Sequence, residues 1–166
     1  MTFIRADEQG SIIVRSGDHE VLGEGAPRSV RLMADASATG GALSCQRVVL
    51  GEGANGATPH HHNERSELFY VLGGALQVLT DDKVHVAHEG DLLVVPPGAT
   101  HAFGAAEGER ADVLIVITPG IERFEYFRLL ARLQQGHATI QELLDSQELY
   151  DNHFTQSEVW EQARTR

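Results

Sequence analysis

Between residues 43 and 118 the chain alternates short apolar runs with clusters of Gly, Pro and Asp. LSCQRVVL, ELFYVL, ALQVLT, KVHVA, DLLVVP and DVLIVIT are rich in branched and aromatic residues, which suit a pleated, half-buried surface. Asp81-Asp82, between ALQVLT and KVHVA, predicts a tight hairpin turn. Six short strands with regular turn signals predict a barrel or sandwich. Residues 1–42 are more mixed: IIV at 12–14, EVL at 20–22 and SVRLM at 29–33 predict short strands or arms packing on that barrel. After Pro119-Gly120 the period changes. Ile121, Phe124, Phe127, Leu130 and Leu133 recur at helical spacing, and Gly136 supplies a stop. Thr139 and Glu142 predict a capping box that opens a second helix, with Ile140, Leu143 and Leu144 on one face. A third short helix is predicted from Ser157 to Arg164. The reading is one structural domain in three stretches: an N-terminal arm over 1–42, a β-barrel over 43–118 and C-terminal helices over 119–166.

Composition adds little to the fold but narrows the partners. The seventeen glycines agree with many turns. With Cys45 as the one cysteine no internal disulfide can form, which fits a reducing cytoplasm. The start, MTFIRADEQGSIIV, lacks the apolar core of a signal peptide, and no apolar run is long enough to span a membrane. A net charge of −11 disfavours nucleic acid and anionic membrane surfaces. It says little about a small ligand, because charge inside a pocket can oppose the global sign.

The densest chemical signal is the stretch from Thr58 to Glu67, which holds His60, His61 and His62. In extended chain His60 and His62 project to one face and His61 to the other. Glu67 opens the next apolar run and offers a hard oxygen. His101 follows the Pro96-Pro97-Gly98 turn, on a strand that an antiparallel barrel can bring alongside. Three imidazoles and a carboxylate suit Fe, Mn, Co, Ni, Cu or Zn and leave positions open for substrate. Spacing alone leaves both readings open: a metal site, or an incidental polar loop. Strand parity puts Phe69 on the face of Glu67 and Phe103 on that of His101, either as walls of a pocket or as plain core. His85 and His88 are expected on a solvent-facing hairpin, Glu64 and Arg65 as an exposed loop pair, and Cys45 as a small buried hydrophobe.

These residues resemble the two motifs of the cupin superfamily. His60-His61-His62, Glu67 and Gly74 follow the first motif, although its leading Gly is displaced: Ala54 stands there, flanked by Gly53 and Gly56. Gly90, Pro96, Gly98 and His101 follow the second, with Ala105 where an Asn is usual. The resemblance implies an all-β double-stranded β-helix, or jelly-roll, barrel with a C-terminal helical extension. It implies one divalent transition metal ion held by His60, His62, Glu67 and His101, and it places Gly73, Gly74 and Gly98 in turns. Pairing as a homodimer is expected on the same analogy. The tail from Pro119 to Phe127 is similar to the stretch after the barrel in single-domain bacterial quercetinases. The expected activity is therefore a metal-dependent dioxygenase acting on a flavonol-like or other small oxygenated aromatic substrate. Glu67 would be the catalytic base, Phe69 and Phe103 would contact substrate, and dioxygen would be the second reactant. The alternatives are a redox-neutral metal-dependent isomerase, cyclase or lyase, and a cupin that binds a small ligand without catalysis.

Overall fold

The computed structural model describes residues 10–165. Ten strands and four α-helices follow in order: β1 Glu20–Leu22, β2 Arg28–Ala34, β3 Ser44–Leu50, β4 His60–His61, β5 Ser66–Thr80, β6 Lys83–His88, β7 Leu92–Val95, β8 His101–Ala105, β9 Ala111–Thr118, α1 Phe124–Gln134, α2 Ile140–Asp145, α3 Gln147–Tyr150, β10 His153–Phe154 and α4 Glu158–Arg164. All pairings are antiparallel, in the order β1-β2-β3-β9-β5-β8-β4-β10, with β6 and β7 also on β5. This is the all-β jelly-roll barrel with a helical C-terminal segment. Among the described residues no helix is long and apolar enough to cross a membrane.

Strand β5 organises the barrel. Its first half, Ser66 to Gly74, pairs with β9, and Glu67 to Tyr70 also pair with β7. Its second half, Leu76 to Thr80, pairs with β8 and β6. The runs ELFYVL and ALQVLT are thus one continuous strand, and Gly73 and Gly74 lie within it rather than in a turn. A register shift falls between Val71 and Gly73. Gly74 takes φ +71°, and a Cβ there would lie 1.9 Å from the carbonyl oxygen of Arg110. The glycines therefore let one strand change partners midway. Asp81 and Asp82 do form the turn into β6, Asp81 with φ +55°. Gly98 sits at φ +81° in the turn before His101.

Phe69, Val71, Leu76, Val78, Val113 and Ile115 fill the core between the halves, each no more than 1% exposed. Two apolar runs behave differently from their sequence reading. Residues 12–14 form no strand. Ile121 precedes α1, because the chain from Pro119 to Arg123 is held extended against the barrel, Ile121 N–H donating to Ser44 Oγ at 3.0 Å. The first part of the predicted N-terminal arm, residues 1–9, lies outside the described residues. Helix α1 packs Tyr126, Phe127 and Leu129 on Leu32 of β2. Its N-terminus is capped from a distance: Asp35 accepts from the backbone N–H of Arg123 at 2.6 Å and of Phe124 at 3.1 Å. The capping box at Thr139 and Glu142 is present on α2, and Ser157 caps α4 through Trp160 N–H.

Gly74→Ala is expected to destabilise the fold by about 2–4 kcal/mol, combining left-handed backbone with overpacking against Arg110. Gly98→Ala, with nothing within 4 Å of its added Cβ, should cost only about 1–2 kcal/mol. Guanidinium unfolding of the two variants measures the difference, and equal losses would refute the close approach at Gly74.

Candidate metal centre

Four residues distant in sequence converge inside the barrel. His60 and His101 are register partners across β4 and β8. His62 follows in the turn after β4, its carbonyl accepting from Gly98 N–H at 2.7 Å, so the Pro-Pro-Gly turn braces it. Glu67 points inward from β5. All four are buried, between 1% and 4% exposed, and their ligand atoms lie within 4.8 Å of one another. Glu67 Oε2 stands 2.6 Å from His101 Nε2, 3.1 Å from His62 Nε2 and 3.9 Å from His60 Nε2.

The outer nitrogens settle what the inner ones can do. Nδ1–H of His60 donates to Thr58 O at 2.8 Å, that of His101 to Ala99 O at 3.0 Å and that of His62 to Asp151 O at 2.6 Å. A neutral ring so engaged presents only a lone pair at Nε2. Three lone pairs and a carboxylate can therefore face a cation placed between them. Protonating His60 is opposed first by burial and then by the neighbouring His101 and His62 rings, and it lies well below the usual histidine range. Burial alone would raise Glu67, but the His62 charge and the contacts with His101 and His62 outweigh it and hold the carboxylate well below its usual range. Neutral imidazole and ionised carboxylate are the states a metal requires. Ligands about 2.0–2.1 Å from one ion stand about 3 Å apart at right angles and about 4 Å apart in line; the Glu67 contacts with His62 at 3.1 Å and His60 at 3.9 Å fall in that range, and the one with His101 at 2.6 Å is shorter. The cluster fits a divalent transition metal.

Asp151, on the turn after α3, clasps the centre from outside. Besides its carbonyl bond to His62, its carboxylate accepts from Asn63 N–H at 2.7 Å, Glu64 N–H at 3.1 Å and Arg65 Nη1 at 2.8 Å. Burial would raise this carboxyl, yet those donors hold it below its ordinary value. Arg65 is thus a half-buried partner of Asp151, and it also keeps a looser pair with the exposed Glu64 at 3.7 Å. His61 turns away from the cluster and stacks on His153 at 5.3 Å, a contact with a residue that the sequence places far from any partner. His85 and His88 are exposed on β6. Cys45 is half-buried on the outer face of β3, and burial raises its thiol to about 11.

His60 and Glu67 open into a cavity of about 460 Å³. Phe103 lines it, as do Val48, Ile115, Tyr126 and Phe127. Phe69 packs behind, edge-on to Phe103 at 5.4 Å and to His101 at 6.1 Å, within the closed core rather than in the cavity wall. Sequence reading missed Asp151, Arg123, Tyr126 and Asn152. The aromatic stripe of α1 is the one sequence signal that bears on any of them, and it marks the helix face without marking a cavity.

Comparison with known proteins agrees with this geometry. Residues 46–117 match the family described as Cupin domain. A quercetin 2,3-dioxygenase of Bacillus subtilis (strain 168) is 32% identical over 93 residues, covering 54% of this chain; the chain spans only 27% of that relative. KdgF from Halomonas sp. has a similar fold, with 22% identity, a TM-score of 0.56 and coverage of 66% of this chain and 94% of that one. So does Pac13 of Streptomyces, described as a nucleoside dehydratase, with 12% identity, a TM-score of 0.54 and coverage of 69% and 87%.

Asp151→Ala is expected to weaken affinity for a divalent transition metal about 10- to 100-fold, as loss of outer support commonly does. His85→Ala, at an exposed strand position, should leave it unchanged. Competition against a chromogenic chelator measures both, and equal affinities would refute the clasp.

Proposed function

On the footing of a cupin domain at residues 46–117, we propose a metal-dependent dioxygenase acting on a flavonol-like or other small oxygenated aromatic molecule. One observation carries the reading: a buried set of three imidazoles and one carboxylate opens, at His60 and Glu67, into a cavity with aromatic walls. The relative named quercetin 2,3-dioxygenase supports it. A divalent transition metal bound by His60, His62, Glu67 and His101 would supply Lewis acidity and the one-electron chemistry that dioxygen requires.

The remaining work falls to the chain. Glu67 Oε1 makes no hydrogen bond among the described residues, since the contacts with His62 and His101 are all to Oε2. Oε1 is therefore the atom that takes the proton of a substrate hydroxyl. Tyr126 faces the same cavity; burial raises its phenol to about 12, so it stays a neutral donor. Phe103 and Phe127 offer ring faces to an aromatic substrate. Helix α1 closes the side of the cavity opposite the barrel and keeps water from the reacting carbons.

A redox-neutral isomerase or lyase is the second reading. It is favoured by Arg28 and Arg123 on the cavity wall, which would stabilise an enolate or a carboxylate.

Quercetin added in air to protein loaded with Mn, Fe, Co, Ni or Cu should lose its visible absorption with matching uptake of dioxygen. Glu67→Gln at saturating metal should lower kcat by about 10²- to 10⁴-fold. No uptake with any of the five metals would overturn the dioxygenase reading, and turnover that survives strict anaerobiosis would decide for the redox-neutral one.

A further inference from the structure

The cavity carries polar groups that the metal centre does not use. Arg123 is 3% exposed and Asn152 is 2% exposed, and both line the cavity. Arg123 Nε and Nη1, and Asn152 Nδ2, have no hydrogen-bond partner among the described residues. The Arg123 guanidinium is held over the rings of Tyr126 at 5.0 Å and Phe127 at 5.3 Å. Its root is fixed by the bond from its backbone N–H to Asp35. A second guanidinium, Arg28, lines the same space and gives Nη1 to Gly56 O at 3.0 Å.

Among the described residues no acid balances Arg123. Glu67 faces the imidazoles, Glu24 on the cavity rim is exposed, Asp35 bonds the Arg123 backbone, and Glu122 accepts from Ser37 N–H. Burying a cation with unpaired donors is costly unless an anion completes it. In a chain of net charge −11, the cavity lining holds two arginines with Glu67, turned to the imidazoles, and Glu24, exposed at the rim. A divalent ion at the centre makes it more positive.

We propose that this cavity binds a ligand bearing a carboxylate, received by Arg123 with Asn152 as a second donor, while the oxygenated end of the ligand faces Glu67 and the imidazoles. The inference rests on the cavity's being the substrate pocket of the centre proposed above, and it makes acids the preferred members of that substrate class. A carboxylate suits the wall better than a phosphate. One unpartnered guanidinium matches one charge, the lining holds no lysine, and Val30, Val48 and Ile115 leave the rest of the cavity apolar. A phosphate draws several cationic and backbone donors at once.

The test is binding, with zinc as the loaded metal because zinc is redox-inert. Dihydroxybenzoate and dihydroxycinnamate are titrated calorimetrically beside their neutral amides. At least one acid should bind about tenfold or more tighter than its amide, the usual scale of a charge-assisted contact. Arg123→Gln should abolish that preference, the acid weakening far more than the amide, and Arg123→Lys should keep part of it. Should Arg123→Gln not fold, Asn152→Leu reads the same contact: the acid weakens several-fold more than the amide. Equal binding of acid and amide, a preference that survives Arg123→Gln, or no acid binding at millimolar concentration would overturn the proposal. A carboxylate preference without oxygenation in any redox-active form would retire the dioxygenase reading and keep this site. Oxygenation of neutral flavonols without an acid preference would do the reverse.

Discussion

An ionised carboxylate lies buried among three imidazoles in Glu67, and the surrounding chain is arranged around that cost. Charge in a low-dielectric interior is tolerated only when it is paired and hydrogen-bonded. Each histidine is oriented by a backbone carbonyl at its outer nitrogen, so the inner nitrogens converge without freedom to turn aside. The carbonyls come from three places: the approach to β4, the turn before β8 and the turn after α3. A fault in any of them would reach the carboxylate, which makes the centre a test of the whole fold rather than an addition to it.

The bend in β5 serves the same end. Glu67 belongs to the half of the strand that pairs with β9 and β7. His101 belongs to the strand that pairs with the other half. A flat strand would keep those partners in one plane; changing partners at Gly73-Gly74 lets both sheets face one interior. The barrel thus brings hard and borderline donors together within 4.8 Å of one another, a space about the size of one ion without its water.

What was legible in the sequence follows the range of the interactions involved. Strand alternation and turn chemistry are local, so the strands of the barrel, the Asp81-Asp82 turn and the capping box on α2 could be read directly. The convergence of His60, His62, Glu67 and His101 could be read from the alternation expected of extended chain and from the motif spacing, although His62 in fact lies just past β4. Gly73-Gly74 was read as a turn, since two glycines between apolar runs look the same whether the chain reverses or bends. The link between Asp151 and His62 spans 89 residues and had no local mark. Arg123 was hidden for a related reason: at the start of an amphipathic helix an arginine reads as solvent-facing, and only the packing of α1 on β2 turns it inward. Phe69 and Phe103 share inward parity, yet depth separates them. Parity chooses a face but not a layer.

The clasp made by Asp151 comes well after β9, the last long strand of the barrel to be made. During synthesis the N-terminal part of a chain is available to fold first, so most of the barrel can assemble while the C-terminal segment is still emerging. A cation arriving then would meet His62 before the Asp151 carbonyl fixes its ring, whereas one arriving later would meet a donor already set in place. Which cation such a site took up would then depend on timing as well as on affinity.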